Sequence, residues 1–546
     1  MARKEGALAT EAASKQRLST WQRGTMLAVV LGSGIVFLDT SVVNLALPTI
    51  AEEVPSSYFG LAPLESQSYI ANGYFLTLSA LLILGGALTD HFGRRRMFTV
   101  GLLGFLATSV LCGLAPNIEL LILFRILQGA AGALVVPGSL AIITASFEGE
   151  QQGRAFGVWA GASAATTILG PFVGGVLVNS VSWRAAFFIN VPFLLLALYA
   201  MRYVPETRDE ESSGRFDWLG SIVVALAVGG LAFGTIRGQQ TNWQGTEAFI
   251  SLGIGGVAAV LFPYMMLKRP HPLVPPWLFR SRNFTVTNIS TFVIYGALYV
   301  FITFQGLFLI GTLGYTEPAA GIAGLPSTLF LVLFSTRFGR LAKRHGPRRY
   351  MALGPLIMAV GLLYLVRFPA DSAPWLLGEG GGLLPPGDYF VDLLPALLVF
   401  GAGLMVMVAP LTTALMTSVP KRNSGVASAI NNAISRVGSP LVTALIFVAV
   451  VSTFYGAISE EVPSVDTSST SFRQEVAPLN VRGLASEGAD PELVDAAKRA
   501  STDSFHLAAL VAAALMLVGA LVNGFGIRDE QALEGGEAPS PAAAGH

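Results

Sequence analysis

The chain of 546 residues is strongly apolar: 53% of its residues are hydrophobic, only 12% are charged, and its mean hydropathy is +0.61. Soluble domains carry about 25% charged residues, so the composition excludes both an ordinary soluble domain and a disordered chain. The 34 basic residues equal the 34 acidic residues, which excludes a general attraction to nucleic acid. We therefore treat the chain as a protein of the lipid bilayer.

Fourteen stretches of the chain are long and apolar enough to cross about 30 Å of hydrocarbon as helices, which takes about 20 residues each. The even number predicts that both termini lie on the same side of the membrane. The polar residues before the first span predict an N-terminus without a cleaved leader. The predicted spans are 25–48, 67–88, 97–115, 119–144, 155–179, 185–204, 218–236, 248–267, 285–313, 319–336, 350–366, 391–416, 424–453 and 504–525.

Basic residues are distributed unequally between the two sides of the membrane. If the termini are cytoplasmic, 25 of the 34 Lys and Arg residues lie in the tails and inner loops, counting Arg202 at the inner end of its span, seven lie in outer loops, and Arg125 and Arg436 lie deeper within spans. Cytoplasmic loops of membrane proteins carry such an excess of Lys and Arg. We predict a multi-pass protein of the plasma or inner membrane with both termini in the cytoplasm.

The spans divide the chain into two halves. In the outer loop of the second half, Asp490 and Pro491 are typical of an N-cap and a first helical turn, and predict a short helix. Residues 368–390 are rich in Gly and Pro and are predicted to be irregular. The predicted segments are a tail (1–24), a six-helix half (25–204), a connector with two extra spans (205–284), a second six-helix half (285–525, with outer loop 454–503) and a tail (526–546).

An internal repeat supports this division. The pattern Gly86-x-Leu88-x-Asp90-x-x-Gly93-x-Arg95 recurs 253 residues later as Gly339-x-Leu341-x-Lys343-x-x-Gly346-x-Arg348. Two duplicated halves related by an axis along the membrane normal are a known transporter architecture. The predicted fold class is an all-α membrane protein with two six-helix halves and two extra helices.

Span 1 contains Asp39, the only acidic residue well inside a predicted span. A charge near the middle of the membrane costs about 2.5–3.5 kcal/mol on insertion scales, so an intramembrane carboxylate is a functional candidate. A site that alternates between burial and contact with an arginine can bind and release a proton. The alternative is a structural aspartate that bonds to Thr40 or Asn44.

The loop after span 2 reads GALTDHFGRRR, and its candidate residues are Gly86, Asp90, Gly93, Arg94 and Arg95. Gly86 permits close helix packing and Gly93 permits a turn with positive φ. Asp90 is placed to accept backbone N–H groups or an arginine from the other half. We predict a latch whose contacts differ between conformations. The alternative is a basic turn that only sets the topology.

Span 4 places Arg125 near its outer end, with Gln128 about one turn further. An arginine at this depth needs a carboxylate, a row of carbonyls or water. Because Asp39 and Arg125 both fall in the outer parts of their spans, they can pair directly or through water. The alternative is that the Arg125 side chain reaches the outer interface.

Span 5 contains the glycines Gly170, Gly174 and Gly175 around Pro171. Gly170 and Gly174 share one helix face and allow close packing, and the proline favours a kink. We predict a hinge-like contact, with a generic packing face as the alternative.

Aromatic and polar residues in other spans are candidates for a substrate cavity. Aromatic side chains at these spacings also occur on lipid-facing or core surfaces, and the polar residues of span 13 also serve to lock helix packing. The candidates are Asn44, Tyr74, Gln128, Phe292, Tyr295, Tyr299, Gln305, Asn432 and Arg436.

Enzymatic motifs are missing from the sequence. It contains no Walker lysine motif, no HExxH and no nucleophile elbow, and its five histidines are scattered. The single cysteine, Cys112, excludes an intramolecular disulfide and a multi-cysteine metal site. We predict that the chain is not an enzyme and uses no cofactor or metal.

Several motifs together resemble those of the major facilitator superfamily, and within it the fourteen-span drug:proton antiporters of the EmrB/QacA type. The resemblance implies that Asp39 and Arg125 belong to a proton-coupling region. It also implies that Gly170, Pro171, Gly174 and Gly175 form an antiporter motif and that Asp90, Gly93 and Arg95 form a gating motif. The motifs are LDTSVVNLALP, GALTDHFGRRR, RILQGAAGA, GPFVGG, WRAAFFINVP, HPLVPPWLF and GVASAINNAISRVG.

These observations predict a proton-coupled secondary transporter that exports hydrophobic or monocationic compounds by antiport and alternating access. Its predicted partners are protons, a small lipophilic substrate or lipid, and membrane lipids, and it is predicted to be a monomer. One alternative is a lipid transporter on the same fold. Another is a membrane receptor or scaffold that does not transport.

Overall fold

The computed structural model describes residues 18–58, 60–208, 216–240, 245–377, 382–469, 472–473, 476–481, 484 and 490–529. Most of both predicted tails and part of the connector lie outside this set. The long helices are α1 (Thr20–Glu53), α2 (Pro63–Phe92), α3 (Arg94–Gly113), α4 (Ile118–Ser146), α5 (Gly149–Ser180), α6 (Ala185–Phe188 and Asn190–Ala200), α7 (Trp218–Gln240), α8 (Thr246–Lys268), α9 (Arg282–Leu307), α10 (Glu317–Ala323 and Leu325–His345), α11 (Arg348–Tyr364), α12 (Leu394–Thr417), α13 (Ser424–Glu461) and α14 (Pro491–Gly526).

These helices coincide with the fourteen predicted spans. Thirteen of them are long and apolar enough, within the described residues, to cross a membrane. The remaining predicted span, 155–179, lies within the 32-residue helix α5. Apolar side chains project outward, as lipid contact requires: on α8, Val257 is 69% exposed and Val260 is 75% exposed.

The element boundaries depart from the predictions in three places. Helix α1 begins at Thr20, inside the predicted tail, because Ser19 and Gln22 form a capping box. Helix α13 continues to Glu461, beyond the predicted end of its span. Asp490 accepts a hydrogen bond from the Glu492 amide at 3.1 Å, as an N-cap does. The helix that it opens is not short, however: it runs without a break into span 14 as the 36-residue α14.

Helices α1–α6 and α9–α14 form two halves, each with its own apolar core. The core of the first half includes Phe98, Phe105 and Trp183, and the core of the second includes Phe304 and Phe505. The first core continues into the inner ends of α12 and α13, and so connects the halves. We define the inner end of the bundle as the one with the loops after α2, α4, α10 and α12, which the basic residues predict to be cytoplasmic.

The repeated motif forms the same structure in both halves. Gly93 ends α2 with φ +105°, and Gly346 ends α10 with φ +85°, conformations that favour glycine. The helix after each turn is then capped by an acidic residue that follows the last helix of its half. Glu206 accepts hydrogen bonds from the amides of Arg95 and Arg96, at 3.1 Å each. In the second half, Asp529 accepts from the Arg348 amide at 3.0 Å.

The halves contact each other closely at the inner end. A Cβ atom at Gly86 of α2 would lie 2.4 Å from the Gly425 carbonyl oxygen of α13. A Cβ atom at Gly339 of α10 would lie 2.3 Å from the Gly153 carbonyl oxygen of α5. The first glycine of each repeated motif therefore marks a crossing where only hydrogen fits. The inner end is closed in this conformation.

The two extra helices, α7 and α8, pack together against the outside of the first half. Their inner ends are joined through Asp217, which pairs with Arg269 and accepts hydrogen bonds from the amides of Gly220 (2.8 Å) and Leu273 (3.3 Å). Helix α7 also contacts α2 and α13. The extra helices thus contact both halves from one side.

Candidate functional site

A buried ion pair lies inside the first half. The Arg125 guanidinium of α4 donates from Nη1 to Oδ2 of Asp39 in α1 at 2.5 Å. Asp39 is 0% exposed and Arg125 is 1% exposed. The structure therefore brings together the two intramembrane charges of the first half by direct contact, and the Arg125 side chain does not reach the outer interface.

Two amide side chains complete the shell around the Asp39 carboxylate. Gln128 donates from Nε2 to Oδ1 of Asp39 at 3.1 Å, and its Oε1 accepts from Arg125 at 2.7 Å. Asn190, at the start of the long segment of α6, donates to the same carboxylate oxygen at 2.8 Å. Ser109 of α3 receives hydrogen bonds from both amides, at 2.8 and 3.1 Å. Three donors from two helices thus hold one carboxylate.

Tyr74 of α2 packs its aromatic ring against Arg125 in this network. Its ring centroid lies 4.1 Å from the guanidinium carbon of Arg125, and its hydroxyl donates to the Val36 carbonyl oxygen of α1 at 3.3 Å. A cation over an aromatic face is attracted by the ring quadrupole, most strongly where water is absent. The arginine is therefore held by a carboxylate on one side and by an aromatic face on another.

The predicted antiporter motif packs against α1 immediately beyond Asp39. A Cβ atom at Gly170 would lie 2.2 Å from Cβ of Ser41, and one at Gly174 would lie 3.2 Å from the Val42 Cα atom. Gly175 faces Leu45. Movement of α5 along α1 would therefore act on the segment that bears the carboxylate. The Pro171 side chain lies outside the described part of the structure, so the kink stays a prediction.

The predicted latch links the halves at the inner end. The Asp90 carboxylate accepts hydrogen bonds from the amides of Gly425 and Val426, at 3.1 and 2.9 Å, at the start of α13. A carboxylate is stabilised at a helix N-terminus by the free amides and the helix dipole. Arg94 pairs with Asp90 at 3.4 Å and also donates to the Lys421 carbonyl oxygen. Of the two partners predicted for Asp90, the structure shows backbone amides of the other half and not an arginine from it, and Arg94 adds a further bond between the halves.

A second contact between the halves lies next to the latch. The Lys421 ammonium pairs with the Glu148 carboxylate in the loop between α4 and α5. The hydrogen bond and positive charge of Lys421 lower the pKa of Glu148. The Glu148 side chain is 79% exposed, so water weakens this pair, unlike the buried Asp90 contacts.

The residues predicted to line a substrate cavity lie in different parts of the structure and do not surround one cavity. Gln128 and Tyr74 belong to the Asp39 network, and Phe292 packs on Gly438 beside the extra helices. Tyr295 packs against a small apolar cluster at the inner side of the second half, and Gln305 is buried. Six candidates keep exposed or partly exposed side chains: Phe292 and Tyr295 in spite of these contacts, and Asn44, Tyr299, Asn432 and Arg436.

Sequence reasoning missed Asn190, Ser109 and the Glu148–Lys421 pair. Asn190 lies in the motif WRAAFFINVP, but nothing in that motif indicates which face of α6 it occupies. An asparagine at this depth was a usable signal, because buried amides need partners. Ser109 carried no signal, since serine is common in membrane helices. Within the described residues, no group of three His, Cys, Asp or Glu side chains is placed to hold a metal ion.

Comparison with known proteins gives consistent matches over most of the chain. Residues 29–443 match the model of the Major Facilitator Superfamily. The chain is 30% identical to the multidrug resistance protein Stp of Mycobacterium tuberculosis, over 76% of this chain and 74% of that protein. It is 31% identical to the tetracenomycin C resistance and export protein of Streptomyces glaucescens, over 78% of this chain and 76% of that protein.

A solved structure supports the fold independently. The human organic anion transporter MFSD10 (TETRAN) matches with a TM-score of 0.58, over 93% of this chain and 100% of that chain. The two sequences are 13% identical, so this similarity concerns the fold alone.

Proposed function

The chain belongs to the major facilitator superfamily, and on that premise we propose that it is a proton-coupled antiporter that exports hydrophobic compounds by alternating access. The family confirms the predictions of a multi-pass membrane transporter that is not an enzyme. The observation that carries the proposal is the buried Asp39–Arg125 pair, with its amide shell, in a chain whose relatives are named for resistance and export.

In this proposal Asp39 is the proton carrier. As a carboxylate it is compensated by Arg125 and by the amides of Gln128 and Asn190. Protonation removes the negative charge and so weakens all three hydrogen bonds, because bonds to a charged acceptor are roughly twice as strong as neutral ones. Arg125 is then left short of a partner in an apolar surrounding, which favours a rearrangement of α4 against α1.

Protonation of Asp39 is coupled to the opening of the inner end because the Asp39–Arg125 pair lies next to helices that form this end. The inner end is closed by α2–α13 and α5–α10 crossings, and α5 also packs on α1 beside Asp39. A change at α1 is therefore passed to the crossing of α5 with α10. We propose that outside protons reach Asp39 in the inner-closed state, and that their binding favours the state that receives cytoplasmic substrate. Both termini lie in the cytoplasm in this scheme, and the monomer is the working unit.

The experiment compares wild type with Asp39→Asn in proteoliposomes under an imposed pH gradient. The substrates are tetracenomycin C, taken from the name of the Streptomyces relative, and a panel of lipophilic dyes. We expect wild type to accumulate or expel at least one compound against its gradient, and Asp39→Asn to lose this coupled transport.

Folding of the variant is checked separately. Asp39→Asn leaves Arg125 without its counter-ion, and breaking a buried pair in this way costs about 3–5 kcal/mol. The double variant Asp39→Asn/Arg125→Gln removes both charges and should be monodisperse and uncoupled. Full coupled transport by either variant would contradict the proposal, and would be the result for a receptor or scaffold that has no need of the pair.

Lipid transport is the second candidate, favoured by one apolar cavity of about 670 Å³. It lies between the extra helices and the two halves, and Val228 of α7, Phe262 of α8, Phe292 of α9 and Val437 of α13 contribute to its lining. A cavity of this kind in the hydrocarbon region suits an acyl chain. Proton-driven movement of a fluorescent phospholipid, with none for any dye, would establish this candidate in place of drug export.

A further inference from the structure

One intramembrane charge takes no part in the network described above. Arg436 lies in α13, well inside the span, and its side chain is partly exposed. Among the described residues no carboxylate lies within ion-pair distance of it, and it makes no hydrogen bond. A guanidinium at this depth is costly without a partner, so such residues mark the paths of substrates or ions.

Helix geometry fixes the direction in which Arg436 points. Gly425 and Ala429 of α13 face α2, since both lie against Gly86. Eleven residues after Gly425 an α-helix has completed about three turns, so Arg436 returns to the same face about 16 Å further along the axis. Asn432 lies on this face too, one turn closer to the inner end. The two side chains therefore point at the first half, beyond the place where the halves touch.

The other faces of α13 have different partners. Ile430, Ile434 and Val437 line the apolar cavity beside the extra helices. Asn431 donates to Asn288 and Thr291 of α9, at 3.1 and 2.7 Å, and so locks α13 to its own half. The polar stripe of Asn432 and Arg436 is accordingly the part of α13 that faces the space between the halves.

Arg436 lies at the depth of the Asp39 network. Tyr74 precedes Gly86 by twelve residues, which places it about 18 Å from the crossing along α2, close to the 16 Å of Arg436 along α13. At this level of the first half, Asp39 and Arg125 compensate each other. Among the described residues, Arg436 is therefore a charge without a counter-ion at the level of the Asp39 network.

We propose that Arg436, assisted by Asn432, binds an acidic group of the exported compound. The inference rests on the proposed export function and specifies its substrate class: amphipathic molecules with an apolar body and a carboxylate or another anionic group. A guanidinium matches a carboxylate with two parallel hydrogen bonds. The Asn432 amide donates one N–H to the Ser428 carbonyl oxygen at 2.9 Å and has a second N–H for the ligand. Within this proposal an anionic substrate takes the place of the monocationic one expected from the sequence, because Asp39 is already paired and the Arg436 charge is positive.

The test is equilibrium binding of three probes that share one apolar body: 1-pyrenebutanoate, 1-pyrenebutanol and 4-(1-pyrenyl)butylammonium. Fluorescence titration of the purified full chain, with empty micelles as the blank, gives each Kd at fixed pH. We expect wild type to bind the carboxylate roughly tenfold more tightly than the alcohol and to bind the ammonium most weakly. Arg436→Gln should bind all three within about threefold of one another.

Two further variants test whether the carboxylate preference depends on the guanidinium group of Arg436. Arg436→Lys keeps the positive charge but lacks the planar guanidinium that binds a carboxylate through two hydrogen bonds, so it should retain part of the carboxylate preference. Arg349→Gln removes an exposed arginine from the inner end of α11 and should leave the preference unchanged. Equal binding of the probes by wild type, or an unchanged preference in a monodisperse Arg436→Gln protein, would overturn the inference.

The binding test is independent of proton coupling. It needs no gradient, and Asp39→Asn should keep the carboxylate preference even though it loses coupled transport. If coupling fails in wild type while the carboxylate preference holds, the proposed antiport is wrong and the Arg436 site stands. If coupling is found without any charge preference, the Arg436 site is wrong and the antiport stands.

Discussion

At the scale of single residues, the hydrogen bonds around Asp39 stabilise its carboxylate inside the membrane and also make these contacts depend on its charge. The carboxylate has three donors, Arg125, Gln128 and Asn190, and each bond depends on its negative charge. Arg125 has a second support in the Tyr74 ring. A group held in this way is stable while ionised, and it loses several contacts together when a proton neutralises it.

The role of Tyr74 is testable by separating its ring from its hydroxyl. Tyr74→Phe keeps the aromatic face under Arg125 and loses one hydrogen bond to Val36, worth about 1 kcal/mol. Tyr74→Ala also removes the cation–π contact, worth roughly 2 kcal/mol where water is excluded. We expect near-normal coupled transport for Tyr74→Phe and a loss of about tenfold or more for Tyr74→Ala. Equal loss in both variants would show that the hydroxyl, not the ring, supports the arginine.

At the scale of helices, close crossings define where the halves meet. Gly86 on Gly425 and Gly339 on Gly153 are contacts of backbone with backbone, and an added methyl group has no room. Both crossings use the first glycine of the repeated motif, one in each half. The repeat is therefore visible as a pair of equivalent contacts and not only as a sequence pattern.

Substitution at a crossing should separate the halves at the inner end. We expect Gly86→Ala to lower transport by roughly tenfold or more, since its Cβ would lie 2.4 Å from the Gly425 oxygen and α13 must move away. The matched control is Gly256→Ala on α8, where no atom lies within 4 Å of the added Cβ. Transport assays with both proteins at equal expression provide the comparison. Normal transport by Gly86→Ala would contradict a closely packed inner end.

The sequence predicts the helices and the central pair far better than it predicts the cavity. Length and hydropathy determine a membrane span, and the cost of a buried charge makes Asp39 and Arg125 conspicuous. The rotation of each helix about its axis depends on packing between distant segments, so the placement of Phe292 beside the extra helices was not predictable. The continuous α14 was missed for another reason, because its polar first turns lie outside the hydrocarbon and give no hydropathy signal.

At the scale of the whole molecule, two polar contacts between the halves add to the glycine crossings that close the inner end. Asp90 is buried and accepts two amides of α13, whereas Glu148 is exposed and pairs with Lys421. The first contact is protected from solvent, and the second is screened by water and salt. Of these two polar contacts, the one made by Asp90 should therefore contribute more to closure.

Two isosteric variants compare these contacts. Asp90→Asn should reduce transport strongly, because the amide lacks the charge that the helix N-terminus stabilises. Glu148→Gln should change transport by less than about twofold at neutral pH, as is usual for an exposed pair. Since Lys421 lowers the pKa of Glu148, this pair persists above the ordinary glutamate pKa and is lost only as the pH falls through the lowered value. A larger loss of transport in Glu148→Gln than in Asp90→Asn would show that the Glu148–Lys421 pair contributes more to closure than Asp90 does.

The most direct test of proton antiport measures protons and substrate together in one vesicle. Proteoliposomes containing pyranine are loaded with the best-transported compound of the panel and diluted into compound-free buffer, without an imposed pH gradient. If the compound leaves in exchange for protons, the interior of wild-type vesicles acidifies as it leaves, and Asp39→Asn vesicles show no pH change. Exit of the compound from wild-type vesicles with no pH change, or with alkalinisation, would contradict the antiport mechanism.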